Sequence, residues 1–180
     1  MYGAPIKHCK SCGTAVEHRL PDDGDTKVRA VCPACTTVHY VNPLNVVGTI
    51  PVWGEQVLLC KRNIEPRKGK WTLPAGFMEL QETTAEGAAR ETVEEAGAQF
   101  TMGPLFSLIN VARVGQVHLF YRAQLTSAEF DPGTETMEAQ LFHEADIPWG
   151  ELAFHTVQET LRCFFADRAA GHFGFHALDI

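Results

Sequence analysis

The sequence predicts a mixed α/β fold behind a small cysteine-bearing appendage, and three observations carry that expectation. Apolar runs at 46–53, 56–62, 100–111 and 117–125 have strand length. Segments 83–96 and 155–169 have helix length and no internal proline. Strands and helices alternate along the chain, which points to one packed unit. With 180 residues, 45% hydrophobic and 21% charged, the chain holds enough apolar surface for one medium domain plus the appendage. A net charge of −7 argues against a general nucleic-acid coat, which needs a basic surface. No run approaches the roughly 20 apolar residues of a spanning helix, and residues 1–9 lack the apolar core of a secretory leader. The expectation is a cytoplasmic protein with no membrane partner.

Taken in order, the amino end comes first. Cys9 and Cys12, then Cys32 and Cys35, form two C-x2-C pairs separated by 19 residues. Such spacing suits a structural zinc site, because two tight turns each present two thiolates to a tetrahedral ion. Gly13 and Pro33 suit those turns. Four thiolates leave no open coordination position, so Zn²⁺ here would hold structure and not catalyse. A ribbon over 1–41 is too small to keep a core without its metal. His8 and His39 flank the pairs as bystanders, while Cys60 and Cys163 lie in apolar runs as small core residues.

Residues 42–180 form the second domain. The strands at 46–53 and 56–62 meet at Gly54-Glu55, a hairpin turn. A basic block follows, Lys61-Arg62 through Arg67-Lys68-Gly69-Lys70, and then Trp71 to Phe77. The helix at 83–96 is closed by Gly97. Two more strands, a turn at Asp131-Pro132-Gly133, a short strand at 139–142 and a terminal helix stopped by Gly171 complete the order.

Charge is uneven along this order. Residues 42–78 carry +3, whereas 79–98 carry six acids against Arg90 alone. On a wheel of about 100° per residue, Ala85, Ala88, Ala89, Thr92, Val93 and Ala96 share one arc, read as the buried stripe. Glu91, Glu94 and Glu95 fall opposite, at i, i+3 and i+4. Like charges so placed cost about 0.2–0.5 kcal/mol per pair. A cation is expected to offset them, and carboxylate oxygens suit Mg²⁺ or Mn²⁺. Gly87 lies on the same side, and because glycine costs a helix about 1 kcal/mol relative to alanine, something is expected to approach closely there.

Gly76, Glu82 six positions on, and the run from Arg90 through Glu91, Glu94, Glu95 and Gly97 to Ala98 together resemble the Nudix box, spread here over 23 residues. The departures are Thr92, where an aliphatic residue is common, and Ala75, where many members carry glycine. The resemblance implies a Nudix α/β/α sandwich with a mixed sheet, preceded by a zinc ribbon. It also implies hydrolysis of a nucleoside diphosphate linked to another moiety. Carried over by position, Glu91, Glu94 and Glu95 would hold Mg²⁺ or Mn²⁺ with the Ala75 carbonyl. Arg90 would pair with Glu82 to orient the helix. Physical chemistry agrees, since three glutamates alone would repel a pyrophosphate and a bridging cation inverts the local sign.

Within the family, a four-cysteine ribbon narrows the field. The NADH pyrophosphatases and RNA decappers that carry one also have an SQPWPFPQS-like segment, which residues 99–115 lack. The chain instead resembles the plant chloroplast FAD and ADP-ribose pyrophosphatases and their short bacterial relatives. That likeness includes Tyr40 to Pro43, Leu58 to Ile64 and Trp71 to Gly76. FAD or ADP-ribose, cut to AMP and the other phosphate ester, is the implied substrate. The alternatives are NADH or an NAD cap, and a non-catalytic nucleotide-sensing module. Arg62, Gly76, Phe77 and Glu138 are candidate substrate contacts, and Arg67, Lys68 and Lys70 candidate phosphate contacts. For Trp71, core packing outranks base stacking. A homodimer follows from the resemblance alone. The ribbon's charge of +1 is too weak for salt-sensitive RNA binding, so nucleic acid is not an expected partner.

Overall fold

Three short strands, β1 (Glu17–Arg19), β2 (Arg29–Val31) and β3 (Val38–His39), make a small antiparallel sheet near the amino end. Each cysteine pair sits on a turn of the same design. Gly13 N donates to Cys9 O at 2.9 Å, and Thr36 N donates to Cys32 O at 3.0 Å. Both turn residues take positive φ, 76° at Gly13 and 60° at Thr36, a conformation that favours glycine. The buried apolar residues among those described in this region are Cys9, Pro21, Ala30, Val31 and Cys32, too few to hold it by burial. The computed structural model describes residues 5–180, so the first four positions of the leader reading lie outside it. It divides into two units: one ends at Pro43 and takes in Arg113–Gly115, and the other holds Leu44–Ala112 and Gln116–Ile180.

The second unit is a mixed sheet. Its strands are β4 (Leu44–Trp53), β5 (Gln56–Arg62), β6 (Trp71–Thr72), β7 (Ala75–Phe77), β8 (Phe100–Val111), β9 (Gln116–Leu125), β10 (Thr136–Phe142) and β11 (His176–Asp179). Two helices, α1 (Thr84–Ala96) and α2 (His155–Ala170), complete it. The spatial order is β10-β5-β4-β9-β8-β11, with β6 on β5 and β7 on β4. The β4–β9 and β8–β11 pairs are parallel and the others antiparallel.

Strand alternation sends neighbouring residues to opposite faces. Ile50 of β4 joins Phe106, Phe120 and the Val157, Leu161, Phe164 and Phe165 side of α2 in the main core. Thr49, one residue before, turns the other way and shares a buried 2.7 Å hydrogen bond with Thr92 of α1. A second apolar cluster, Leu58, Cys60, Ala96, Ala98 and Leu125, lies on the α1 face. One helix therefore covers each face, the expected α/β/α sandwich.

The hairpin at Gly54-Glu55 and both helices form as expected. In the second unit the short strands β6, β7 and β11 were not anticipated. Of these, β11 lies parallel to β8 and is tied to α2 by His176 Nε2 to Asp167 Oδ2 at 2.9 Å. The wheel reading of α1 needs correction: Val93 is 53% exposed and Glu95 only 7%. Among the described residues, no helix is long and apolar enough to cross a membrane.

Candidate active site

α1 has a defined start and stop. Glu86 N donates to Thr83 Oγ1 at 3.2 Å and Thr83 N donates to Glu86 Oε2 at 2.8 Å, a reciprocal cap. Gly97 ends the helix at φ 60°, its N–H donating to Val93 O. These limits fix where Arg90, Glu91, Glu94 and Glu95 project.

Arg90 organises the acids. Its Nε and Nη2 grip both oxygens of Glu82 at 3.0 and 2.9 Å, and Nη2 also donates to Phe77 O at 3.1 Å. Its Nη1 donates to Glu91 Oε1 at 2.8 Å and Glu94 Oε2 at 3.0 Å. All five guanidinium N–H groups are thereby used. The Arg90 hydrogen bonds and the Glu79 N–H hold the Glu82 carboxyl far down, at about 2. Glu95 Oε2 accepts from Ala75 N at 2.9 Å, which ties α1 to β7.

Two glycines record how tightly this is built. A Cβ on Gly76 would fall on the Glu91 carboxylate. A Cβ on Gly87 would stand 2.5 Å from Glu82 Oε1 and 2.9 Å from Val47 Cγ2. The close approach expected at Gly87 is real, but it comes from Glu82 and β4.

The acids border a cleft of about 800 Å³. Ala75, Gly76, Phe77, Arg62, Arg90 and Glu91, Glu94 and Glu95 of α1 all line it. Burial raises the Glu91 carboxyl, and burial with the nearby Glu91 and Glu135 charges brings Glu95 up to about 7 against the Ala75 N–H bond. Among the described residues, Glu91, Glu94 and Glu95 of α1 each keep one oxygen with no hydrogen-bond partner: Oε2 of Glu91, Oε1 of Glu94 and Oε1 of Glu95. This is a hard-oxygen donor set short of positive charge, and it fits a Mg²⁺-type cation. Arg62 spends Nε on Pro66 O at 2.9 Å, and its guanidinium lies 5.1 Å from the Phe154 ring centroid.

Other expected contacts fall elsewhere. Glu138 does not line the cleft; it stands opposite Lys61 in the β10–β5 pair and approaches its Nζ at 3.6 Å. The acid of that segment that reaches the cleft is Glu135. Trp71 packs edge-on to Phe142 in the core, at 4.9 Å between centroids. Lys70 pairs with Glu151 at 2.6 Å, and Arg67 and Lys68 are not among the lining residues. Sequence reasoning missed Glu135, His118 and Thr156. Only Glu135 carried a signal, as the nearer acid of the same short run.

In the first unit, the Sγ atoms of Cys9, Cys12, Cys32 and Cys35 all lie within 4.8 Å of one another. The closest pairs are Cys12 with Cys32 at 3.4 Å and Cys9 with Cys35 at 3.6 Å. A tetrahedron with Zn–S bonds of about 2.3 Å has S–S edges of about 3.8 Å, so the four thiols fit one such ion.

Comparison with known proteins adds to this geometry. The family model described as NUDIX domain matches residues 43–164, and one described as Nudix N-terminal, a zinc ribbon, matches residues 7–41. The crystal structure of a NUDIX hydrolase from Nitrosomonas europaea superposes with a TM-score of 0.93 at 46% identity, covering 97% of this chain and 99% of that one. An ADP-ribose pyrophosphatase of Methanocaldococcus jannaschii is 30% identical over 119 residues, 64% of this chain and 69% of that protein. An NAD-capped RNA hydrolase of Photobacterium profundum is 29% identical over 160 residues, 85% of this chain and 57% of that protein. The chain thus spans little more than half the length of that relative.

Proposed function

The chain belongs to the Nudix family, and from that premise we propose that it hydrolyses ADP-ribose or FAD to AMP and the other phosphate ester. One observation carries the reading: among the described residues, Glu91, Glu94 and Glu95 of a single helix each keep an oxygen with no hydrogen-bond partner at the wall of one cleft. Mg²⁺ or Mn²⁺ on those oxygens and the Ala75 carbonyl would supply the positive charge that neutralises a diphosphate and acidifies the attacking water.

The chain's own residues do the positioning. Arg90 holds Glu91 and Glu94 by one oxygen each, and the Ala75 N–H holds Glu95, so the free oxygens need little reorganisation on binding. Glu95, raised to about 7 by burial, is the acid placed to take a proton near neutral pH, and Glu135 lines the cleft beside it. The Arg62 N–H groups not spent on Pro66 are available to a phosphate oxygen, and the exposed Phe77 ring offers a face to the substrate. In the ribbon, Cys9, Cys12, Cys32 and Cys35 would hold structural Zn²⁺. The family resemblance also implies a homodimer, which light scattering would show as twice the chain mass.

A second reading, hydrolysis of NADH or of an NAD cap on RNA, is favoured by the NAD-capped RNA hydrolases that match over 85% of the chain. Retention of every box glutamate weighs against a sensor without turnover. Incubation with Mg²⁺ and a panel of ADP-ribose, FAD, NADH and NAD-capped RNA, read as AMP release for the first three and decapping for the last, tests all of these. Turnover of ADP-ribose or FAD is expected. Preference for NADH or capped RNA moves the substrate to the second reading, and no turnover of any panel member overturns both.

A further inference from the structure

A second cavity, of about 390 Å³, lies beside the last turns of α2. The β4–β5 turn, the start of β8, the far half of β9 and Phe173 wall it, and it shares no lining residue with the cleft. Val157 of α2 lines the cleft and Arg168 lines this cavity. Those two positions are roughly 16 Å apart along the helix axis.

Its charge is the reverse of the chain's. Arg122 and Arg168 line it, with Glu55 as the one lining acid, in a chain of net charge −7. Arg122 stands two residues after Phe120 on β9 and so faces the α2 side of the sheet. Its guanidinium lies 4.0 Å from the Phe173 ring centroid. The residue is half-buried, yet its guanidinium N–H groups have no hydrogen-bond or ion-pair partner among the described residues. A guanidinium presents five donors and keeps its charge at any physiological pH, so Arg122 is left open to an anion.

Arg168 is only partly satisfied. Its Nη1 donates to Glu55 O at 2.7 Å, and its guanidinium lies 4.8 Å from the Phe164 centroid. Glu55 Oε2 is 3.9 Å from Nη1 on a side chain that is 81% exposed, so it neutralises Arg168 weakly. Nε and Nη2 of Arg168 have no acceptor among the described residues. Val52, Phe164 and Phe173 give the cavity an apolar wall. A bare oxyanion leaves that wall unused, whereas pockets of roughly 300–1,000 Å³ hold small organic molecules. Two guanidiniums favour a dianion, and phosphate oxygens accept forked arginine donors.

We infer that this cavity is a binding site, separate from the cleft, for an organic phosphate monoester. Arg122 and Arg168 take the phosphate, and Val52 and Phe173 take its apolar body. The inference does not depend on the hydrolase reading, and an inactive protein would show it equally well.

The test is phenyl phosphate titrated into the zinc-loaded full chain without added Mg²⁺ or Mn²⁺, read by calorimetry. With no divalent ion, the acids of the cleft repel the probe. Wild type should bind it more tightly than inorganic phosphate, with an affinity that falls as salt rises. Arg122→Met breaks no internal hydrogen bond, so the unfolding midpoint should stay near wild type while binding weakens at least tenfold. Glu55→Gln removes the lining acid and should tighten binding severalfold. A gain of that kind cannot come from a folding defect, so it tests the site even if Arg122→Met proves unstable. Arg62→Gln, in the cleft, should leave the affinity unchanged. The site is wrong if wild type does not bind phenyl phosphate, if Arg122→Met binds it equally well, or if Glu55→Gln fails to tighten binding. It is also wrong if Arg62→Gln abolishes binding, which would put the probe in the cleft. Inorganic phosphate bound as tightly as phenyl phosphate would overturn the organic ligand.

Discussion

The two clusters proposed to hold metal ions in this chain are alike in sequence and opposite in construction. The four cysteines come from turns in a unit with few buried apolar side chains among its described residues. A small three-stranded sheet and the cluster of four thiols bring those turns together. The three glutamates stand on a capped helix packed against a large sheet, already held by Arg90 and the Ala75 N–H. The contrast teaches that closely spaced ligands can mark either an ion that makes a fold or an ion that works on a frame made without it. The chemistry of the donors tells the two apart: soft thiolates close a site, and carboxylates with a free oxygen each leave room for water and phosphate.

Removing a ligand from each cluster sharpens that contrast most. Cys32→Ser should abolish zinc binding and unfold the ribbon, because folding there is coupled to metal uptake. Metal analysis should find no zinc, while calorimetry still shows the transition of the sheet unit. Loss of both transitions together would break the distinction. Glu95→Gln should do the reverse. A glutamine oxygen still accepts from Ala75 N, so the melting temperature should stay near wild type. Steady-state AMP release should fall by about a hundred- to ten-thousand-fold.

A smaller effect is expected at His118, which lines the cleft. His118 titrates at about 4 in the folded chain because burial disfavours its charge, against about 6.5 when unfolded. Between those values the unfolded chain binds more protons. The contribution is therefore full above pH 6.5 and lost as pH falls to about 4, a total on the order of 3 kcal/mol. Urea unfolding at pH 7.5, 5.5 and 4 should show that slope in wild type and a flatter one in His118→Leu; parallel profiles would contradict the assignment. The smallest effect is expected at Glu138. Its 3.6 Å pairing with Lys61 is solvent-exposed and contributes less than about 1 kcal/mol, so Glu138→Gln should change neither unfolding midpoint nor turnover, whereas Glu135→Gln should slow turnover.

Local features were the legible ones. The C-x2-C knuckles, the hairpin at Gly54-Glu55 and the capped run from Thr83 to Gly97 are each closed by residues a few positions apart. Facing was harder. The wheel sorted α1 by polarity, but its inner side carries core residues such as Ala88 and Ala96 together with Glu95, whose backbone partner Ala75 belongs to a three-residue strand. Val93, apolar yet outside that contact, stays exposed. The choice between Glu135 and Glu138 was decided by a register shift in the β10–β5 pairing between Thr136 and Glu138. A shift of that kind depends on a strand distant in sequence, and no local pattern reports it. Thr156 and His118, distant in sequence, share the cleft wall only through the folded sheet and α2.

Counting Mn²⁺ bound to zinc-loaded protein, by electron paramagnetic resonance of the free ion, tests the carboxylate centre most directly. Wild type should take up at least one Mn²⁺, and a variant with Glu91, Glu94 and Glu95 all changed to Gln should take up none. Equal uptake by the two proteins would place the ion elsewhere and contradict the account.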